Sequence, residues 1–298
     1  MTAHDSATPA SAIAVGSGTL LAALGVLCFS FSFPATVGAL GGFGPWTATG
    51  LRGLLAAVPA VIWLAVARVP VPERRHWPAL LAVTGGCVLG FPLLTTLALQ
   101  SSSTAHLAVV TGALPLATAV LSALRTGVRP SRTFWWAATA GAAAVLGFTV
   151  QQSHGRPAVA DLYLFGALLV CAAGYAEGGR LSRELPGWQV IAWAVVVALP
   201  VAALTTALAL PAEPVHLSAR AVGGLAYTAA VSQFGGFVLW YRAMAVIGVP
   251  KASQLQLAQP GLTLVWAVLL LGEELPPAAP VTACAVLLCI AVTQRVRT

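Results

Sequence analysis

The chain carries very little formal charge and almost no lysine. Only 8% of its 298 residues are charged, and Lys251 is the one lysine. Long intervals hold no charge at all, among them residues 76–124 and 185–212. A soluble globular domain typically has about a quarter of its residues charged. With 58% hydrophobic residues and a mean hydropathy of +0.88, the sequence favours a membrane protein over a soluble one.

Motifs typical of enzymes are also missing. The sequence has no HExxH, GxSxG or CxxC pattern, no pair of intramembrane aspartates and no ATP-binding motif. Its five cysteines lie in apolar stretches without metal-ligand spacing, so we interpret them as small apolar fillers. These absences predict a protein that is not an enzyme and needs no metal or other cofactor.

The charge-free intervals predict ten membrane-spanning helices. A crossing takes about 20 apolar residues, and a charge at its centre costs at least ~2.5 kcal/mol. The two longest intervals hold nearly two spans each, divided at Gly38–Pro45 and Ser101–Ser103, where the residues favour turns. The predicted spans are residues 12–34, 46–67, 78–100, 103–125, 133–152, 160–181, 188–210, 218–243, 250–272 and 277–295.

The basic residues between these spans predict the topology. Lys and Arg are retained on the cytoplasmic side of a membrane. If both termini are cytoplasmic, the outer loops carry only Arg156 and Arg220, and Arg52 lies inside a span. The cytoplasmic segments then carry Arg68, Arg74, Arg75, Arg125, Arg129, Arg132, Arg180, Arg183, Arg242, Lys251, Arg295 and Arg297. The net charge of +7 is thus a product of topology, and we expect no nucleic-acid partner.

An internal duplication relates the two halves of the chain. An offset of 145 residues pairs Pro115 with Pro260 and places polar residues opposite polar residues. We therefore predict two domains, residues 1–155 and 156–298, each a repeat of five spans. Because five is odd, the second repeat must enter the membrane inverted, as in many secondary transporters that work by alternating access.

Two runs of sequence resemble a known family. Residues 104–124 contain a mid-span proline, and residues 253–275 end in a Gly-Glu pair at Gly272 and Glu273. Together with Arg52 in the second span, they resemble the drug/metabolite transporter superfamily in its EamA-type form of two five-helix modules. The first half departs from the pattern, with Val128 where an acidic residue would follow. The resemblance implies export or exchange of amino acids, metabolites or drugs, and in distant branches of sugar nucleotides or sugar phosphates.

Polar residues within the fourth and ninth spans are candidates for substrate binding. They recur at three- and four-residue steps, which places them on one face of each helix. Either these faces line a substrate path, or they hydrogen-bond helices together. The prolines would each free a carbonyl one turn earlier or form a hinge. The candidates are Thr111, Pro115 and Thr118 in the fourth span, and Gln256, Pro260 and Thr263 in the ninth.

Four further residues are candidates on other spans. Gln233 and Trp240 share a face of the eighth span, where Trp240 is either a substrate wall or an interfacial anchor. Arg52 could bind a substrate carboxylate or phosphate, or cap carbonyls of a broken helix. Glu177 either pairs with Arg180 or carries a proton.

Two more charged or titratable groups lie near span ends. Glu273 needs a partner such as a facing arginine or backbone amides, because a carboxylate at a helix C-terminus is unfavourable. His106 is either a helix-end residue or a group that titrates near neutral pH. Small residues at four-residue spacing, such as Ala137 with Gly141, predict tight helix contacts within the chain or in a homodimer.

We expect a secondary transporter of small molecules that works without ATP. A mostly apolar path with one deep cation favours amino acids or similar hydrophobic metabolites, exported across the plasma membrane. Exporters of drugs or other organic solutes, and a channel or facilitator, are the alternatives.

Overall fold

The structure, a computed structural model, describes residues 9–126, 131–152, 158–247, 252 and 255–295. Val128 and residues 253–254 of the ninth-span run lie outside this part. In it the regular secondary structure is helical, and one isolated β-bridge joins Phe43 to Val215. The helices are α1 Pro9–Ser30, α2 Ser32–Leu40, α3 Pro45–Val66, α4 Trp77–Val83, α5 Phe91–Ala98, α6 Thr104–Thr111, α7 Leu114–Thr126, α8 Arg132–Gln152, α9 Val159–Leu181, α10 Gly187–Ala209, α11 Ala219–Ala226, α12 Phe237–Ile247, α13 Ala258–Leu271 and α14 Ala278–Arg295. A 3₁₀ turn, Arg74–His76, precedes α4, and π-helical segments join α4 to α5 (Thr84–Gly90) and α11 to α12 (Tyr227–Gly236).

These helices confirm the predicted membrane fold. Among the described residues, eight continuous or nearly continuous helical segments are long and apolar enough to cross a membrane, from Gly16–Leu40 to Ala219–Ile247. Two shorter apolar helices, α13 and α14, follow at the places of the ninth and tenth spans. The protein is therefore an all-α, multi-pass membrane protein.

The packing between the two halves is symmetric. When each span is replaced by its counterpart in the other half, the same pairs of packed spans result. The first span (α1) packs on the eighth (α12), and the third (α4, α5) packs on the sixth (α9). Exchanging each span for its counterpart five places along converts the first pairing into the second. The second span packs on the seventh, the fourth on the ninth and the fifth on the tenth, and each of these pairs maps onto itself. This arrangement is expected of two related five-helix repeats.

Irregular helical segments recur at the same offset of 145 residues. The π-helical segment of the third span, Thr84–Gly90, corresponds to residues 229–235 within Tyr227–Gly236. The fourth span is broken at Gly112 and Ala113, and the ninth has a turn at Leu257, which is 145 residues after Gly112. Both kinds of irregularity leave backbone groups outside the regular α-helical pattern, and π-helical segments are frequent at functional sites.

Proline explains where the helices break. Pro34, Pro115 and Pro260 each lie within the first three residues of α2, α7 and α13, where the missing N–H is tolerated. Each also fails to donate to the carbonyl four residues earlier, which in an unbroken helix would be its acceptor. A freed carbonyl or a hinge was predicted at Pro115 and Pro260, and the helix is interrupted within the three residues before each of them. The break at Phe31, between α1 and α2, was not predicted.

Candidate functional site

Two adjacent cavities lie between the halves where the helices are irregular. The first, of about 20 Å³, is bounded by the broken fourth and ninth spans. The two predicted polar faces meet here, since Thr111 and Pro115 lie opposite Gln256, Pro260 and Thr263. Phe91, Ala108, Gly112, Leu114 and Gln259 complete the lining.

The second cavity, of about 40 Å³, is larger and contains Arg52. It shares Phe91, Leu114 and Gln259 with the first, so the two are contiguous. Its size admits only a few water molecules. Its other polar lining residues are Ser32, Thr36, Thr95, Tyr175 and Ser232, and its other apolar ones are Phe29, Phe33, Cys87, Cys171 and Phe237.

Arg52 is held by residues of the eighth span. Its Nε donates to the Gln233 side-chain oxygen at 2.9 Å, and its Nη2 donates to Ser232 Oγ at 3.4 Å. Gln233 is fully buried, and its amide nitrogen donates to the Cys87 carbonyl at 3.4 Å. The π-helical segments thus supply Cys87 from one half and Gln233 from the other. No carboxylate of the described residues lies within 4.0 Å of the Arg52 guanidinium.

Side chains of the second half hydrogen-bond to polar groups at the break in the first span. Thr263 Oγ1 lies 3.0 Å from the Ser30 carbonyl, which Pro34 leaves without its helical donor. The indole of Trp266 donates to Ser30 Oγ at 3.0 Å. Ser32 Oγ and Ser232 Oγ are 2.6 Å apart, one residue beyond the break. Because buried polar groups need partners, these bonds fix the irregular backbone beside the cavity.

Three of the predicted site residues have other positions. Gln233 contacts Arg52 but lies behind it and lines neither cavity. Thr118 lines neither cavity, and its hydroxyl donates to the Leu114 carbonyl of its own helix at 2.8 Å. Trp240 is 1% exposed and packs edge-on against Phe29, so neither the interfacial anchor nor the substrate wall describes it.

Glu177 forms ion pairs with arginines from both halves. Arg180 Nε lies 3.1 Å from one carboxylate oxygen, as the i+3 spacing predicts. The other oxygen pairs with Arg125 of the fourth span. This carboxylate therefore joins α7 to α9 at the end of the bundle where those helices finish. Its predicted role in carrying protons stays a prediction.

Glutamates join the halves at the opposite end, which we call the two-glutamate end. Glu213 accepts hydrogen bonds from the backbone N–H groups of Trp46 and Thr47, at 3.2 and 2.7 Å. Glu273 accepts from those of Thr104 and Ala105, both at 2.9 Å. Each carboxylate caps the first turn of a helix of the first half, where N–H groups have no helical partner and the helix dipole favours negative charge. Backbone amides are thus the partners that Glu273 was expected to need.

Two further contacts join the halves at the two-glutamate end. His106 Nε2 lies 2.8 Å from Asp161 Oδ1, and both side chains are buried. The His216 N–H donates to the Gly42 carbonyl at 2.7 Å. His106 is therefore a helix-end residue paired with an acid of the other half.

At the other end, a histidine and a glutamate join the loops that follow α3 and α9. His76 Nε2 lies 3.0 Å from Glu184 Oε2, and Arg180 Nη1 lies 3.4 Å from the other oxygen. The hydrogen bond from His76, with smaller contributions from Arg75 and Arg180, lowers the pKa of the Glu184 carboxyl below its usual value. Cross-half contacts thus lie on both sides of the cavities.

Several lining residues could not be recognised from their positions in the sequence. Gln259, shared by both cavities, lies three residues after Gln256, and this spacing was the available signal. No sequence pattern indicated Tyr175, Ser32 or Ser232. Each lines the cavity beside a hydrogen-bond partner that is distant in the sequence. The described residues contain no group of three or more His, Cys, Asp or Glu that could hold a metal ion.

The predicted small-residue contact is found within the chain. A Cβ on Gly141 of α8 would lie 3.2 Å from the Cβ of Cys289 on α14, so the backbones approach closely there. Small residues allow such close approach in membranes.

Comparisons with known proteins agree with this architecture. The family model of the EamA-like transporters matches the chain twice, over residues 16–150 and 158–294. The chain is 42% identical over 272 residues to an uncharacterized transporter of Bacillus subtilis (strain 168), YdeK, covering 91% of this chain and 95% of that protein. One solved structure, described only as the crystal structure of a protein, superposes with a TM-score of 0.65 at 21% identity, over 95% of this chain and 99% of that one. At this identity, the last comparison concerns the fold alone.

Proposed function

The chain belongs to the EamA-like transporter family, and we propose that it exports amino acids or similar hydrophobic metabolites by alternating access. Membership of the family makes it a transporter rather than an enzyme. The substrate class and the mechanism are our proposal.

The observation that carries this proposal is the position of the cavities. They lie between the two halves, beside the breaks of the first, fourth and ninth spans, and contacts between the halves close the bundle on both sides. Irregular backbone at membrane depth, at the interface of two repeats, is the general position of transporter sites. A bound substrate would lie between phenylalanine rings and beside a guanidinium, which suits an apolar side chain next to a carboxylate.

Alternating access requires the halves to separate at one end at a time. The hydrogen bonds of Glu213 and Glu273 would break when the two-glutamate end opens, and the contacts of Glu177 and Glu184 when the other end opens. Each set consists of a few polar contacts, so either can be exchanged for contacts with water. Because the cavities now hold only a few water molecules, substrate entry requires such a separation.

The distribution of basic residues supports the orientation. Among the described residues the two-glutamate end carries Arg220, whereas Arg68, Arg74, Arg75, Arg180 and Arg183 lie at the end of His76 and Glu184. By the positive-inside rule, the two-glutamate end is external and both termini are cytoplasmic, in the plasma membrane. Cysteines introduced at each terminus should react with a membrane-impermeant maleimide only after the cells are permeabilised.

Counterflow in proteoliposomes tests the proposed transport. The purified chain is reconstituted with about 5 mM unlabelled L-phenylalanine or L-leucine inside, a concentration above the roughly 1 mM upper end of typical KM values. Uptake of the labelled amino acid is followed with and without a pH gradient. Saturable uptake driven by the internal substrate supports the proposal, and Gln256→Ala should reduce it. Equal, non-saturable uptake without internal substrate would indicate a channel.

A further inference from the structure

We propose that the cavity selects its substrate by one negative charge, and that the preferred substrates are small organic monoanions with an aromatic or aliphatic body. A free amino group is not required. This inference rests on the proposed function, because it concerns the same cavity, but it defines the substrate class by charge rather than as amino acids.

The first step is the charge balance of the cavity. Arg52 is the only charged residue among those that line the two cavities. No acidic residue of the described part lines either cavity. Glu177 pairs with arginines, Asp161 contacts His106, and Glu213 and Glu273 cap helices. The other three, Glu73, Glu184 and the exposed Glu274, lie in loops. A cation inside the bundle without a counterion is unfavourable, so the cavity favours any anion that can reach the guanidinium.

The second step is the number of donors that remain. A guanidinium carries five N–H donors, of which Nε–H bonds to Gln233 and one Nη2–H bonds to Ser232. Three N–H groups therefore have no partner among the described residues. Ser232 and Ser32 lie beside them, 2.6 Å apart, and Ser32 also donates to the Cys28 carbonyl at 3.3 Å. A hydroxyl of this pair can donate to the anion only by giving up one of these hydrogen bonds. A planar carboxylate accepts such parallel N–H groups in bidentate geometry.

The third step is the fate of an ammonium group in the same cavity. The lining offers it the amide oxygen of Gln259, hydroxyl groups and the faces of Phe29, Phe33, Phe91 and Phe237, but no carboxylate. Aromatic rings attract cations only weakly, whereas a neighbouring guanidinium repels them. The cavity therefore favours carboxylates, tolerates zwitterions and rejects cations.

Three probes with the same phenylpropyl skeleton separate these cases. They are 3-phenylpropionate, which is an anion, L-phenylalanine, which is a zwitterion, and L-phenylalaninamide, which is a cation at about pH 6, below the usual pKa of an α-amino group. Binding of each to the purified full chain in detergent is measured by isothermal titration calorimetry, which avoids the passive permeation of weak acids. We expect 3-phenylpropionate to bind at least ~10-fold more tightly than the amide, as charge-assisted hydrogen bonds imply.

Variants of Arg52 identify the source of this preference. Arg52→Gln should reduce the ratio of the affinity for 3-phenylpropionate to that for the amide to about one. Arg52→Lys keeps the charge without the planar guanidinium, so it should retain part of the preference for the acid. Arg74→Gln removes an exposed arginine that lines neither cavity and serves as the control. Each variant is first checked for monodisperse elution, and the comparison of probes on the unmodified chain needs no variant at all.

The outcomes separate this inference from the proposed function. If the amide binds as tightly as 3-phenylpropionate, if the acid does not bind, or if Arg52→Gln leaves the ratio unchanged, selection by charge is overturned. If the acid binds selectively but neither it nor phenylalanine shows counterflow, the proposed transport fails while the assignment of the site stands.

Discussion

Glu213 and Thr47 are joined across the two halves by a 2.7 Å hydrogen bond from the Thr47 backbone N–H to the carboxylate. Thr47 lies in the first turn of α3, the helix that carries Arg52, and Glu213 lies in the loop after α10. The bond therefore holds the two-glutamate end closed and does so through α3, the helix that positions Arg52 in the cavity.

Removing the charge of either capping glutamate should loosen the two-glutamate end. Glu213→Gln and Glu273→Gln should each lower the free energy of unfolding by about 0.5–2 kcal/mol, because a charged N-cap is replaced by a neutral one. Both should also speed the reaction of a membrane-impermeant maleimide with Val215→Cys, measured in a chain lacking the exposed Cys284.

Glu274 provides the matched control for this prediction. It is exposed, adjacent to Glu273 and makes no hydrogen bond recorded among the described residues. Glu274→Gln should leave both stability and labelling unchanged. An equal effect of Glu274→Gln and Glu273→Gln would show that net charge, rather than capping, is responsible.

Supplying Arg52 with an internal counterion should weaken binding of anions. Gln233→Glu places a carboxylate 2.9 Å from Nε, in the position of the present amide oxygen, with almost no change of volume. We expect the affinity for 3-phenylpropionate to fall at least ~10-fold, because the anion must then compete with a built-in ion pair. Calorimetry measures the change. Gln100→Glu, in an exposed turn, adds the same charge outside the cavity and should have no effect.

A methyl group at Gly112 should force the broken fourth and ninth spans apart. The backbone of Gly112 is α-helical, with φ −57°, so alanine is tolerated locally, but its Cβ would lie 2.8 Å from Pro260 Cγ. We expect Gly112→Ala to destabilise the protein by about 1–3 kcal/mol through overpacking and to slow counterflow. Thermal unfolding in detergent and the flux assay measure both effects.

Gly261→Ala is the control for this substitution. A Cβ there would meet nothing within 4 Å, although the residue is next to Pro260. Since alanine favours a helix more than glycine does, this variant should be as stable as the parent or more so, by up to about 1 kcal/mol. Destabilisation by both substitutions would contradict the close approach at Gly112.

The contact between His76 and Glu184 predicts a dependence of stability on pH. The folded state lowers the pKa of Glu184, so the stabilisation is complete above the unfolded pKa of about 4.5 and is lost as the pH falls through the lower folded value. Glu184→Gln should therefore melt at a lower temperature than the parent at pH 7, and the difference should shrink below about pH 4. Glu73→Gln, whose carboxylate pairs only with the exposed Arg75, should differ little from the parent.

The membrane spans, and the carbonyls freed by Pro115 and Pro260, could be predicted from the sequence because each has a local cause. Charge is excluded from the hydrocarbon layer, and proline removes a helical N–H wherever it occurs. The break at Phe31 also has a local cause in Pro34, but that proline was placed at the end of the first span, whereas the helical segment continues to Leu40.

Contacts across the halves could not be predicted in this way. Ser32 and Ser232 are 200 residues apart, and Glu213 has no sequence pattern that assigns it to the start of α3. Trp240 was misplaced because Arg242 was taken as the end of the eighth span. Helix α12 continues to Ile247, which brings the indole into the contact between α12 and α1.

The lack of an acidic partner for Arg52 among the described residues has an electrical consequence for the proposed mechanism. If the halves alternate and the substrate is a monoanion, as we propose, the unloaded carrier would hold one uncompensated positive charge within the bilayer and the loaded carrier would hold none. About 2.3 kcal/mol per 100 mV acts on a full elementary charge that crosses the field, so the electrical driving force would fall on the return of the unloaded carrier and leave the loaded step nearly electroneutral.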